Sequence, residues 1–382
     1  MTERIPIEVF PPGEFIREEL EERGWTQEVL AEVLGLSHRL VNEVIKGKRR
    51  ITPETARALG EAFATGPLVW MNLENTYRLS QVKDVDDTVA RRSRLYGEYP
   101  LKDMIKRGWI EQSSSVDVLE ERVLRFFEMA SLDEEPTAFP HAARKSTTYE
   151  AVTVPQCAWL RRARMLAKAV SAASYSKPSF QDGLTHLRAL LVDVEEVRHV
   201  PKVLAEAGVR LVLVEQLPGT RIDGAAFWLD TKSPVIALSL RFDRVDGFWH
   251  TLLHDAMHIL HRDVKPDDDP ILDVDMIGEH AVPDVDRPSA EKRADAEAAD
   301  FLVPEDKLKD FIARVRPHYS KKKIRALAAS LGVHPGIVVG QLQHRGEIPF
   351  SHSRDMLQKV RETICEAALT DGWGYYKPQL RE

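Results

Sequence analysis

Cysteine is nearly missing from this sequence: Cys157 and Cys365 are the only two in 382 residues. That excludes a disulfide-stapled fold and suits a reducing cytoplasm, the expected location. No apolar run approaches the roughly 20 residues needed to cross a membrane, so no membrane partner is expected. The opening Met1-Thr2-Glu3-Arg4-Ile5-Pro6 lacks the apolar segment of a signal peptide. An excess of positive charge is missing too. A net charge of -7 argues against uniform coating of nucleic acid and leaves room for a local basic face. The charged and hydrophobic fractions, 30% and 43%, are those of an ordinary globular chain, long enough for two or three domains with separate cores.

One such basic face is legible near the start. Pro12-Gly13 leads into a helix from Glu14 that ends at Gly24. Thr26 is placed to cap a second helix, Gln27 to Leu34, closed by Gly35, and Ser37 to cap a third, His38 to Lys46, closed by Gly47. Two short helices joined by a tight Gly-containing turn describe a helix-turn-helix. Ala31 sits at the close approach, with Leu30, Val41 and Ile45 as apolar contacts. The third helix is expected to expose His38, Arg39, Asn42 and Lys46, followed by Lys48, Arg49 and Arg50. Arg and Asn read guanine and adenine edges bidentately. Gln27 and Ser37 at the helix starts, with Lys48 and Arg49, are placed for phosphates. The competing reading, a helical bundle with a solvated charged face, does not explain why turn, caps and basic cluster coincide.

This stretch resembles the HigA-type antitoxins of the Xre/Cro repressor class over roughly residues 8 to 80. The resemblance is carried by Pro12-Gly13-Glu14, Thr26-Gln27, Leu30-Ala31, Asn42-Glu43-Val44-Ile45-Lys46-Gly47-Lys48-Arg49, Ile51-Thr52-Pro53-Glu54-Thr55-Ala56 and Trp70-Met71-Asn72-Leu73. It implies a double-stranded DNA operator as partner, bound by a homodimer whose two-fold axis matches a palindromic site.

Residues 81–130 read as helices, with 100–110 connecting two of them, and 116–130 shows helical spacing in Leu119, Val123, Leu124 and Phe127. A polar, Pro-containing stretch at 131–149 reads as a linker. Residues 156–174 read as a helix carrying Arg161, Arg162, Arg164 and Lys168, a solvated face rather than a second nucleic-acid surface. Three strands follow at 209–214, 225–229 and 235–239, with turns at Pro218-Gly219 and Ser233-Pro234.

Directly after them comes Phe248-Trp249-His250-Thr251-Leu252-Leu253-His254-Asp255-Ala256-Met257-His258-Ile259-Leu260-His261. As a helix it places His254 and His258 one turn apart on one face, where two imidazoles reach one metal. The pattern His-Asp-x-x-His is one methylene short of the His-Glu-x-x-His of zinc peptidases. The competing reading is a pair of polar histidines on a histidine-rich helix. A later helix, 291–304, puts Glu291 and Asp295 on a shared face, so Glu291 is a candidate ligand and Asp295 a candidate partner for a His ring. An edge strand beside such a helix can hold an extended substrate by main-chain hydrogen bonds.

Residues 150 to 350 resemble the ImmA/IrrE family of zinc metallopeptidase-like proteins. The matching pieces are Leu217-Pro218-Gly219, Ile222-Asp223-Gly224-Ala225, Phe248-Trp249, the His254-to-His261 element, Glu291-x-x-Ala294-Asp295 and Phe301-Leu302-Val303-Pro304. The resemblance implies Zn2+ held by His254, His258 and Glu291, with a water completing the tetrahedron. Asp255 then stands where the family has the Glu that moves the water's proton. Its carboxylate is set back by about 1.5 Å, and a misplacement near 1 Å costs about a hundredfold in rate. Met257 also replaces a family Gly. The expectation is retained metal with weak or absent peptidase activity.

A second helix-turn-helix pattern occupies 320–342: Leu327-Ala328, Gly332, Val338 and Leu342 repeat the spacing of Leu30-Ala31, Gly35, Val41 and Ile45. Its second helix has few side chains to offer bases, which favours a pair packed against the core. The whole chain is thus expected to be α+β and mainly helical. It divides into an all-α helix-turn-helix domain at 1–80, a helical connector and linker at 81–149, a zincin-like α+β domain with a small mixed sheet at 150–350, and a C-terminal helix and tail at 351–382. The expected function is a DNA-binding regulator of antitoxin type with a metal-holding domain. The rivals are a zinc peptidase that cleaves a repressor, and a module that binds a toxin or other protein without metal chemistry.

Overall fold

The first five helices start and stop where short-range signals direct them. The computed structural model describes residues 9–82, 87–137, 152–266, 268–275 and 288–372, in two units, Met1–Val89 and Ala90–Glu382. Helix α1 (Pro12–Arg23) ends at Gly24 with φ 66. Thr26 accepts from Val29 N at the start of α2 (Gln27–Leu34), which ends at Gly35 with φ 65. Ser37 accepts from Leu40 N at the start of α3 (His38–Ile45), which stops one residue before the sequence expectation, with Lys46 as its cap. Helices α4 (Pro53–Phe63) and α5 (Pro67–Ser80) complete the unit. Its core is Ile16, Leu30, Ala31, Val41, Phe63 and Trp70, the last donating to Thr65 Oγ1 at 2.9 Å.

Basic side chains satisfy the carbonyls that α3 leaves open at its C-terminal end. Arg17 Nη2 donates to Ile45 O at 3.4 Å and Arg78 Nη2 to Gly47 O at 3.3 Å, which also suits the negative end of the helix dipole. A Cβ on Gly13 would overlap Ile45 O, C and Cα, all backbone atoms that have no rotamer to escape into. Gly13→Ala is therefore expected to destabilise this unit by about 1–3 kcal/mol. Chemical denaturation with a probe on Trp25 or Trp70 checks it; an unchanged midpoint would refute the close packing of α1 on α3.

Helix α6 (Thr88–Glu98) begins at the unit boundary, followed by α7 (Leu101–Lys106), α8 (Val116–Phe127) and α9 (Val154–Ala169). The stretch 100–110, expected between two helices, itself holds the short helix α7, in which Leu101 and Met104 are buried between Pro100 and Gly108. The linker expectation holds no regular element over 131–137, and 138–149 lies outside the described residues. Helix α9 starts from a reciprocal capping box between Thr153 and Gln156 but ends at Ala169, short of 174. Beyond it the backbone bonds elsewhere, Ala173 N to Ala205 O and Tyr175 N to Lys232 O. Its basic face is also corrected. Arg161 is 4% exposed; it donates to Thr137 O and pairs with Glu128 at 3.2 Å, and Arg162 pairs with buried Asp371. Arg161 and Arg162 are thus held in ion pairs within the fold, while Lys168 remains exposed as expected.

After α10 (Lys177–Ala189) and α11 (Val200–Glu206) the chain forms a five-stranded mixed sheet. Its strands are β1 (Arg210–Val214), β2 (Ile222–Trp228), β3 (Pro234–Leu238), β4 (Ile271–Val274) and β5 (Leu369–Asp371), in the order β4-β2-β3-β1-β5. Strand β1 runs parallel to β3 and β5, and β2 antiparallel to β3 and β4. Alternation along the strands gives two buried faces. Val212, Val214, Ala225 and Phe227 pack with residues of α7, α8 and α9. Leu211, Leu213, Ala226 and Trp228 share a core with α12 (Val245–His261).

The rest of the chain encloses α12. Helices α13 (Ser289–Leu302), α14 (Glu305–Val315), α15 (Lys321–Leu331) and α16 (Pro335–His344) follow β4. The second helix-turn-helix pattern is α15 and α16, with Ser320 as cap and Gly332 at φ 66. Helix α16 buries Ile337, Val338, Val339 and Leu342 in the core of α12, and a Cβ on Gly340 would lie 2.5 Å from Asp246 Oδ2. Helix α16 thus packs in the core, as its apolar residues implied, while Lys321, Lys322 and Lys323 of α15 are exposed. The C-terminal stretch, expected to be a helix and tail, holds a five-residue helix, α17 (Arg361–Cys365), and also strand β5, where Asp371 accepts from Trp109 Nε1 at 2.6 Å; residues 373–382 lie outside the described residues. Among the described residues no helix is long and apolar enough to cross a membrane.

Candidate functional site

In the first unit, α3 divides cleanly between core and surface. Val41, Val44 and Ile45 are buried, while His38, Arg39 and Lys46 are exposed, with Lys48, Arg49 and Arg50 exposed just beyond. Asn42, expected to be exposed, is half-buried, as is Gln27 at the first position of α2. Two candidate base readers are already tethered: Arg39 Nε donates to Glu43 Oε1 at 3.0 Å, and His38 Nε2 lies 3.1 Å from Glu28 Oε1. Reaching a base means exchanging these exposed contacts, which are individually weak. Ser37 uses an oxygen lone pair as cap and keeps its O–H as a donor. The backbone N–H groups of Lys48 and Arg49 both donate to Glu43 O, at 2.9 and 3.1 Å, which fastens the basic segment to the end of α3.

In the second unit, α12, α13 and β4 converge on one group of side chains. His254 Nε2 and His258 Nε2 are 2.9 Å apart. Glu291 of α13 reaches both, with Oε2 at 3.3 Å from His254 Nε2 and Oε1 at 3.4 Å from His258 Nε2. Asp273 of β4 brings Oδ1 to 3.5 Å from His254 Nε2. One ligand atom from each of the four lies within 4.8 Å of the others, a grouping that could hold a metal ion. Behind the imidazoles stand two further carboxylates: Asp295 Oδ1 at 2.8 Å from His254 Nδ1, and Asp263 Oδ2 at 3.0 Å from His258 Nδ1. Such contacts fix which ring nitrogen faces the centre.

Asp263 and Asp273 were missed by sequence reasoning. Asp263 had a usable signal, since it follows the helix end at Arg262, whose φ of 54 turns the chain back so that Asp263 N donates to His258 O. Asp273 had none: it sits in the middle of a four-residue strand defined only by pairing with β2.

Charge governs the cluster. Burial alone lowers the His254 pKa, but Asp273, Asp295 and Glu291 outweigh it and hold the ring well above the usual histidine range. Burial likewise lowers the His258 pKa, but Asp263 and Glu291 outweigh it and raise the ring above the usual histidine range. Burial would raise Glu291, yet the two histidines bring it down to about 2. Asp295 goes the same way, held low by His250 and His254 against its burial.

Asp255 is different. It is fully enclosed, and burial first, then the adjacent Asp273 carboxylate, push it well above the usual carboxylate range. Neither of its oxygens accepts a hydrogen bond from a described N–H or O–H group. A Cβ on Gly224 of β2 would lie 2.5 Å from Asp255 Oδ2 and 2.7 Å from Thr251 Cγ2, so only glycine leaves room for this carboxyl between sheet and helix. Met257 packs in the core of the unit. Asp273 Oδ2 is a second buried oxygen without a hydrogen-bond partner among the described residues. Two imidazoles positioned by carboxylates, two more carboxylates facing them and orphaned buried oxygen make a donor set that fits a divalent ion such as zinc.

Residues 16–70 match the family described as Helix-turn-helix. An uncharacterised helix-turn-helix-type transcriptional regulator of Escherichia coli (strain K12), YddM, is 30% identical over 84 residues, 22% of this chain and 88% of that protein. Virulence-associated protein I of Dichelobacter nodosus is 34% identical over 73 residues, 19% of this chain and 68% of that protein. Among solved structures, the Pseudomonas aeruginosa antitoxin HigA with the higBA promoter is 30% identical, with 24% of this chain and 95% of that chain covered and a TM-score of 0.19.

Proposed function

This chain belongs to the helix-turn-helix family through residues 16–70, and from that premise we propose that it is a DNA-binding transcriptional regulator of antitoxin type whose second unit holds zinc in a metallopeptidase-like, zincin-type site with little or no protease activity. The observation that carries the DNA reading is α3, with its apolar side buried and His38, Arg39, Asn42 and Lys46 on the outer side above the exposed Lys48-Arg49-Arg50. Asn42 and Arg39 are suited to base edges, and the basic tail and the start of α2 to phosphates. Such heads read two-fold operators as dimers, so a homodimer is the expected binding form.

In the second unit His254, His258 and Glu291 would hold the metal, with Asp295 and Asp263 orienting the rings. When bound, zinc would polarise an oxygen ligand and lower the pKa of a water. What the chain's own residues do there argues for regulation or assembly over turnover. Asp255, the residue at the proton-carrying position, is fully enclosed beside Gly224 and Thr251, and burial and Asp273 push its pKa up. A proton carrier must reach its water, and this carboxyl is enclosed on every side.

The test is retention of a labelled fragment from the promoter of its own reading frame, compared with a scrambled fragment of equal length at low salt. Preferential retention is expected, and equal retention of both would overturn the operator reading. Incubation of the zinc-loaded full chain with a neighbouring repressor or toxin checks the second half. Cleavage that disappears in Asp255→Ala would sink the claim of a silent protease.

A further inference from the structure

We propose that Asp273 is a fourth protein ligand of the metal, delivered by β4, so that the centre is closed by the chain's own residues. The inference rests on the metal reading above and goes beyond its three-residue ligand set. Strand β4 pairs antiparallel with β2, with Asp273 opposite Gly224, and the register shifts between Ile222 and Gly224. Such an irregularity redirects a side chain locally. Here it accompanies the turning of Asp273 inward, where it is 3% exposed, with Oδ1 at 3.5 Å from His254 Nε2.

Two observations and a charge argument point the same way. First, Asp273 Oδ2 is buried with no hydrogen-bond partner among the described residues, which is costly for a carboxylate unless a cation compensates it. Second, the four donor atoms form one mutual group within 4.8 Å, with no gap between Asp273 and the other three. Third, the charge closes: two neutral imidazoles and two carboxylates balance a divalent ion, whereas three ligands leave it one charge in excess. The position an exchangeable water would take in a three-ligand site is thereby assigned to Asp273.

The strand that carries Asp273 has a consequence of its own. The outer edge of β2 is the free edge that an extended peptide would need for main-chain pairing beside α12. Strand β4 already occupies it from Ala226 to Ile222. The same four residues thus fill both the ligand position and the strand position that a peptide substrate would use.

The full chain loaded with Co2+ tests this through its visible spectrum, titrated with azide, and through competition with a chelator. The native centre is expected to bind one Co2+ with a four-coordinate spectrum that azide leaves unchanged. Asp273→Ala is expected to bind at least tenfold more weakly and to give a spectrum that shifts with azide, because a position has opened. Asp273→Asn, which keeps the volume and supports β4, is expected to show the same azide sensitivity, which separates ligation from folding. An azide response in the native protein equal to that of both variants would overturn the fourth ligand while leaving a three-ligand centre in place. Absence of bound Co2+ in the native chain, with His254→Ala indistinguishable from it, would overturn the metal reading and this inference together.

Discussion

Chelation is expected to lower the melting temperature of the second unit by on the order of 5–10 °C, and His254→Ala to abolish that dependence. The size follows from linkage: a ligand present at a hundredfold over its Kd stabilises the folded state by about 2.7 kcal/mol. In a domain of this length each kcal/mol moves the midpoint by about 2–4 °C. The structure gives the reason that the metal-free state should be the weaker one. His254 and His258 are fully buried, Asp273 nearly so and Glu291 half-buried, so four ionisable groups are crowded together where little water reaches. Buried charge of that kind is tolerated when it is paired or coordinates an ion. Calorimetry of the full chain with and without chelator, alongside metal analysis, reads the effect. A midpoint that ignores the chelator, with metal retained in His254→Ala, would refute the assignment. Glu291→Gln supplies the finer control: its shape is kept and its charge is lost, so metal affinity should fall while the packing of α13 on α12 survives.

The head was legible because its signals are local. Thr26, Ser37, Gly24 and Gly35 each act within one helical turn, and the structure places helix ends at those residues. The same kind of signal misleads when burial decides. Residues 320–342 carry the same turn and cap, yet α16 is apolar nearly all round and goes into the core. Arg161 and Arg162 look like a solvated stripe because their partners, Glu128 and Asp371, are far away in sequence. Strands β4 and β5 are short and sit among Asp and Pro or near the chain end, and only pairing with β2 and β1 defines them. Sequence spacing could put His254, His258 and Glu291 on facing helices, but it could not bring Asp273 to them.

Asp255 shows the difference in kind. From sequence its deficit is reach, one methylene; in the fold its deficit is enclosure. Lengthening it would press a larger side chain against Gly224, Thr251 and Asp273. Asp255→Glu is therefore expected to cost stability through overpacking, about 1–3 kcal/mol, before it restores any chemistry. A denaturation midpoint at or above that of the native chain would show that the pocket has room after all.

The second large effect belongs to α3. Lys48→Glu combined with Arg49→Glu is expected to weaken binding to the chain's own promoter fragment by about two to four orders of magnitude at low salt. Each charge-assisted contact to a phosphate contributes about 1.5–3 kcal/mol, and two are lost. The slope of log affinity against log salt should fall by about two, one for each contact removed. Both side chains are exposed and their backbone N–H groups, not their side chains, bind Glu43 O, so the fold of α3 should not change. Asn42→Ala should behave in the opposite way. It is half-buried on the outer side of the same helix and carries no charge, so its loss should cost about 1–3 kcal/mol of discrimination between promoter and scrambled DNA with the salt slope intact. The pair of results separates a helix that reads bases from one that only rests on phosphates. If the charge reversal left affinity unchanged, or Asn42→Ala altered the slope and not the discrimination, α3 would not be the element that reads the operator.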